Sequence, residues 1–150
     1  MQKMDIAKTI AERLHKDQVD KLGVPYIRHI EEVVEGVTTE EEKIVAYLHD
    51  VVEDTDYPHV LIYLHFGKAV ADAVYAITKR KGEPLVDYYE RVRNNPLALK
   101  VKLADLHDNS SEIRLQRLDA DTQKRLRAKY QKAYLYLLGE KGEKVWELKS

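Results

Sequence analysis

The chain has 150 residues, with 25 Lys and Arg against 26 Asp and Glu, a formal charge of −1. That length suits one domain over residues 1–150, with roughly 68–70% of the unfolded surface buried on folding, and the charge balance argues against a phosphate-neutralising nucleic-acid groove. The absence of Cys excludes disulfides and thiolate metal sites. No apolar run approaches the roughly 20 residues that span a bilayer, and Met1-Gln2-Lys3-Met4-Asp5 is not a signal peptide. The expectation is a cytoplasmic protein with no membrane or nucleic-acid partner and an oligomeric state left open.

The pattern predicts helices throughout, with no period-2 strand. A first helix covers residues 5–21, with Ile6, Ile10, Leu14 and Val19 on one stripe. Leu22-Gly23-Val24-Pro25 breaks it, and a short helix follows over 27–36. Thr39 with Glu42 three residues later is a capping box. It opens a helix carrying Ile44, Val45, Leu48, Val51 and Val52 to about residue 54. Pro58 begins a short helix to Phe66, stopped by Gly67. Residues 68–79 and 85–93 are helical on either side of the Gly82-Glu83-Pro84 loop. Asn94-Asn95-Pro96 is a break, and a long helix runs from 97 towards 117. The last helix covers 122–138 with Gly139 as its cap. The expected fold is all-α, a compact bundle of about seven or eight helices.

Chemistry concentrates in Tyr47-Leu48-His49-Asp50-Val51-Val52-Glu53-Asp54-Thr55. Two acids and a His-Asp pair lie among apolar residues that look buried, and buried carboxylates need partners or a cation. His49 and Glu53 are four residues apart, as are Asp50 and Asp54, so each pair shares a helix face. Two further candidates have the same character. His29 opens a short helix after Pro25-Tyr26-Ile27-Arg28. Asp105 ends the apolar run Val101-Lys102-Leu103-Ala104, where a salt bridge to Lys102 or Arg114 is the plainer reading. Together His29, His49, Asp50 and Asp105 make a two-His, two-carboxylate donor set. Such a set suits Mn, Fe or Zn better than Ca or Mg, and it fits hydrolysis at a metal with open positions.

These segments resemble the HD-domain phosphohydrolases, whose signature is His…His-Asp…Asp. Glu53-Asp54 after His49-Asp50 narrows the likeness to the alarmone-hydrolase branch, the hydrolase domain of the Rel/SpoT proteins and the small stand-alone alarmone hydrolases. Gly23 to His29, Leu48 to Thr55, Phe66 to Ala71, Ile77-Thr78-Lys79, and Val101 to Asp105 with Asn109 carry it. The resemblance spans about residues 11–138 and implies an HD-domain bundle. It implies metal binding by His29, His49, Asp50 and Asp105, and an acid/base role for Glu53 and Asp54. It also implies substrate contact by Asn109 and Lys21, Mn2+ as cofactor (Fe2+, Zn2+ or another divalent ion as alternatives), and release of 3′-diphosphate from guanosine tetra- or pentaphosphate. Nothing resembles a synthetase domain.

The chain departs from the family where an Arg-Lys pair reads Asp20-Lys21, where Ile30 follows His29 in place of Pro, and across Asp105-Leu106-His107-Asp108-Asn109. The first departure leaves two alternatives open. One is a phosphohydrolase of another nucleotide: a 5′-nucleotide, a cyclic nucleotide or NADPH. The other is a non-catalytic helical interaction module with a structural metal. Lys79-Arg80-Lys81 is the best phosphate-attracting run, with Lys79 the substrate candidate. Tyr130 is the substrate candidate on the last helix, which borders the pocket in this family. The remaining Tyr residues read as core and interface, Arg125, Arg127 and Lys129 as a solvated face, and His15, His59, His65 and His107 as surface or packing residues. Trp146 hints at an external contact.

Overall fold

The computed structural model describes residues 2–139; Trp146 lies outside them. Within that span the chain forms ten helices: α1 (Lys3–Leu14), α2 (Tyr26–Glu35), α3 (Glu40–Leu48), α4 (Val51–Asp54), α5 (His59–Phe66), α6 (Lys68–Ile77), α7 (Leu85–Arg93), α8 (Pro96–Asn109), α9 (Glu112–Leu115) and α10 (Ala120–Leu138). The helices α4 and α9 have 4 residues each and the other eight have 8 or more, in keeping with the expected bundle. Among the described residues the sole extended pairing is an isolated bridge between Val19 and Pro25.

The core gathers around α3 and α8. The helix α3 packs against α1, α2, α6 and α8, and α8 also meets α7 and α10. Val45, Ala46 and Leu48 of α3 face Ala98 and Val101 of α8, all fully buried. The capping box at α3 forms as the sequence predicts. The Thr39 hydroxyl accepts from the Glu42 N–H, and the Glu42 carboxylate accepts from the Thr39 N–H. A cap of this kind stabilises by about 1 kcal/mol. Gly67 stops α5 at φ 89°, a backbone state that a Cβ disfavours.

Three breaks differ from the expected boundaries, two at side-chain oxygens that bond the backbone and one at a shifted backbone torsion. The helix α1 ends at Leu14, not near residue 21. Beyond it the Asp20 carboxylate accepts from the Leu22 and Val24 N–H groups at 2.8 and 3.0 Å. That local bonding outcompetes another helical turn, and it leaves Val19 57% exposed rather than on the buried stripe. The helix expected to run to residue 54 breaks at the motif itself, where Asp50 adopts φ −107° and ψ 0° and α4 starts afresh. The long C-terminal helix divides at Ser110-Ser111, because the Ser111 hydroxyl accepts from the Arg114 N–H and caps α9. The caps also set two smaller differences: Asp119 starts α10 at Ala120, and α6 stops at Ile77.

Candidate metal centre

Three parts of the core deliver the donor atoms. His29 projects from the first turns of α2, His49 and Asp50 from the break between α3 and α4, and Asp105 from α8. One ligand atom from each lies within 4.8 Å of all the others. The break matters to this convergence. Adjacent residues on a continuous helix point roughly 100° apart, whereas here the His49 Nε2 and an Asp50 carboxylate oxygen are 3.1 Å apart.

The hydrogen bonds fix which nitrogens are free. His49 Nδ1 lies 2.6 Å from the Ala46 carbonyl, which can only accept, so Nδ1 carries the proton. His49 Nε2 is then buried without a hydrogen-bond partner, although Asp50 Oδ2 and Asp105 Oδ1 lie 3.1 and 3.4 Å away. A bare nitrogen lone pair facing two carboxylate oxygens calls for a cation between them. His29 repeats the arrangement. Its ring lies between two carboxylates, Nδ1 2.6 Å from Asp108 and Nε2 2.7 Å from Asp105. The residues therefore fit a divalent metal of the kind that mixed imidazole and carboxylate donors favour.

The electrostatics agree. Burial alone would lower the His49 pKa, but the charge of Asp50 and bonding to Asp105 carry it well above the ordinary value. His29 is raised in the same way, by Asp105 and Asp108 against burial. Burial would raise the Asp105 carboxyl, yet the Lys102 ammonium and the two imidazoles hold it well below the usual range. Asp50 is lowered likewise, chiefly by His49 acting against burial. The same carboxylates that draw protons onto these imidazoles would attract a divalent cation, which competes with the proton for the nitrogen.

Glu53 and Asp54 lie on α4 beside this cluster. Both are surface-accessible, yet the protein crowded round their carboxyl groups and the charge of Asp50 push both above the ordinary carboxylate range. Glu53 accepts from the Lys79 backbone N–H at 3.3 Å, and Asp54 from the Gln18 amide at 3.4 Å. A cavity of about 550 Å³ is lined by His49, Asp50, Glu53, Asp54, Asp105, Asn109 and Lys79. Asn109, one turn after Asp105, donates to it at 3.3 Å. His29 sits behind that wall, 4% exposed.

Lys21 and Tyr130 line a separate, adjoining cavity of about 350 Å³, with Arg114, Arg125 and Lys129. Tyr26, Asn109 and Lys129 border both cavities. Four cations face one acid there, Asp20. Burial and the neighbouring Lys102, Lys21 and Arg125 charges lower the Lys129 pKa. A third cavity of about 460 Å³, across α8 and lined by Glu32, Glu42, Lys100 and Asp108, holds none of the four metal-ligand candidates.

Several expectations need correction. Arg125 and Lys129 are exposed, as a solvated face requires, and they also line a cavity, while Arg127 pairs with Glu112 at 2.5 Å. Arg80 stacks 4.3 Å over the Tyr75 ring and pairs with Glu83 at 3.7 Å, which removes it from the phosphate-attracting run. Asp105 does pair with Lys102 at 3.2 Å, and the two imidazoles share the same carboxylate. Arg114 pairs elsewhere, with Asp20 and Asp108. His15 is 1% exposed and bonds Gln18 at 2.8 Å. Sequence reasoning missed Tyr26, whose hydroxyl donates to Asp50, although it stood inside the Pro25-Tyr26 segment and so within reach of the spacing.

An all-helical bundle that draws His, His-Asp and Asp donors together from three parts of its core has the architecture of the HD-domain hydrolases. No protein-family model matches the chain. Its sequence relatives are named, however, and the chain is homologous to guanosine-3′,5′-bis(diphosphate) 3′-pyrophosphohydrolases. One of these, from Aquifex aeolicus, is 30% identical over 96% of this chain and 22% of its own length. The human protein of that name, MESH1, is 35% identical over 66% of this chain and 63% of its own length. A GTP pyrophosphokinase of Streptomyces coelicolor is 28% identical over 76% of this chain and 15% of its own. The match thus spans less than two thirds of each of these relatives. A solved structure, of a metazoan ortholog of SpoT that hydrolyses ppGpp, superposes with a TM-score of 0.79 at 24% identity, covering 97% of this chain and 94% of that one. That likeness establishes the fold. Among the described residues no helix is long and apolar enough to cross a membrane.

Proposed function

We propose that this chain is a metal-dependent 3′-pyrophosphohydrolase of guanosine tetra- and pentaphosphate, acting in the cytoplasm as one domain. The observation that carries the reading is the bare His49 Nε2 facing Asp50 and Asp105, in a cavity that also holds Glu53 and Asp54. His29, His49, Asp50 and Asp105 would hold the ion, Mn2+ in the first instance, with Fe2+ or Zn2+ the alternatives. Such an ion, when bound, polarises a phosphoryl oxygen and makes water more acidic.

The remaining chemistry belongs to the chain. Glu53 and Asp54 orient the attacking water and take its proton, a task favoured by carboxyl groups shifted towards neutrality. The water oxygen bonds to the phosphorus next to the sugar as the bond from that phosphorus to the 3′-oxygen breaks; the 3′-oxygen takes up a proton, and diphosphate and the 3′-hydroxyl nucleotide are the products. Asn109 holds Asp105 in place and edges the substrate path. Lys79 borders the metal cavity, and Lys21 and Tyr130 receive the far end of the nucleotide in the adjoining one. Asp20 at the rim of that second cavity favours one rival, in which the site is kept and another nucleotide is the substrate.

The test is a panel of nucleotides turned over by Mn2+-loaded protein, with products identified. Diphosphate from guanosine tetraphosphate, faster than any product from 5′-nucleotides, cyclic nucleotides or NADPH, is the expected result. Faster cleavage of another nucleotide would transfer the reading to the rival, and no turnover of any phosphoester would leave a structural metal site.

A further inference from the structure

We infer that Arg114 is a positioning residue for the metal centre, acting on His29 through Asp108. The inference rests on the metal reading of the cluster and adds a residue that no motif singled out.

The geometry is a relay of charged hydrogen bonds. Arg114 Nη1 donates to Asp108 Oδ2 at 2.9 Å, and the same oxygen accepts from His29 Nδ1 at 2.6 Å. A carboxylate held between a guanidinium and an imidazole has little freedom to turn. With a metal held at Nε2, it takes the proton on Nδ1 and keeps the ring turned so that Nε2 is aimed at Asp105 and the site. Histidine ligands depend on such outer partners for both tautomer and ring orientation.

The second fork of the guanidinium makes the relay specific to Arg. Arg114 Nη2 donates to Asp20 Oδ2 at 3.3 Å, while Asp20 Oδ1 accepts from the Leu22 and Val24 N–H groups. One planar group thus ties the loop before α2 to the support of the α2 ligand. A lysine at this position is a single point charge and cannot fork in this way. The short helix α9 exists to present it: Ser111 caps α9 through the Arg114 N–H itself.

The test is Mn2+ binding by metal-free full-length chain, measured by calorimetry without nucleotide. Arg114→Ala should weaken Mn2+ by about 10- to 100-fold, as loss of an outer partner does, with helical content by circular dichroism unchanged. Asp108→Asn should weaken it similarly, and the double variant should be no weaker than the worse single one, because both break one relay. Arg114→Lys should fall between wild type and Arg114→Ala, and it guards against a folding failure of the alanine variant. Wild-type Mn2+ affinity in folded Arg114→Ala, or fully additive losses in the double variant, would overturn the relay. Because no substrate is present, a protein that binds Mn2+ but fails to cleave alarmone would sink the proposed function and leave this inference standing.

Discussion

Two adjoining cavities carry opposite charge. The first gathers Asp50, Glu53, Asp54 and Asp105 round the His49 imidazole; the second gathers Lys21, Arg125 and Lys129, with Arg114 already paired to Asp20 and Asp108. The acidic cavity spends its charge internally, since each ligand carboxylate already bonds an imidazole, a lysine or a tyrosine. In the basic cavity Lys21, Arg125 and Lys129 face one another, and the Lys129 pKa is lowered by burial and then by the other cations nearby. Under the proposed function the first region would take a cation and the second an anion. A single substrate bearing phosphates that meets a metal at one end would use both.

The largest predicted effect breaks the acidic region. Asp50→Ala or Asp105→Ala should abolish Mn2+ binding in calorimetry, and activity with it, because either leaves His49 Nε2 facing a lone carboxylate. Tight Mn2+ binding by either variant would remove the four-residue donor set. Next, Glu53→Gln should keep Mn2+ affinity while kcat falls by about 10²- to 10⁴-fold, the range of general acid–base assistance. Unchanged turnover would take the acid/base role from Glu53.

The basic region should respond differently. Lys129→Ala should raise KM by about tenfold, a phosphate contact's scale, with Mn2+ affinity unaltered. A fall in Mn2+ affinity instead would mean that the two cavities are not separable. The smallest effect lies outside both. Hydrogen bonds and charge from Arg91, against a burial penalty, lower the Glu83 pKa from 4.5 to about 2. That pair contributes stability in full above about pH 4.5, and loses it as the pH falls towards 2. Glu83→Gln should therefore cost about 1–2 kcal/mol at neutral pH and nothing at the acid end, read from urea unfolding at several pH values. An equal cost at every pH would deny the ionic character of the pair.

The acidic region was legible in the sequence because its residues come in contiguous runs. His49-Asp50 and Glu53-Asp54 share one segment, and Asp105 stands out as an acid in an apolar run. The basic region was not, because its parts come from the loop after α1, from α9 and from two turns of α10. Arg125 and Lys129 are ordinary cations on a polar helix face until α10 is laid beside Tyr26. Asp108 was visible as a neighbour of the ligand segment, but its bond to His29 joins residues 79 positions apart, which no local spacing reveals. Helix identities followed from periodicity and caps. The misplaced ends, at Leu14, Leu48 and Asn109, fall where a side-chain oxygen or a shifted backbone torsion overrides an apolar stripe that continues past it.

Tyr26 stands at the border of both cavities, its hydroxyl bound to Asp50. Its place makes the pair of cavities a ruler. A molecule charged at one end alone fills one compartment and gains nothing from the other. A molecule with two charged ends the right distance apart engages the second site at high effective concentration once the first is seated. Length, rather than any single contact, would then be what such a surface measures.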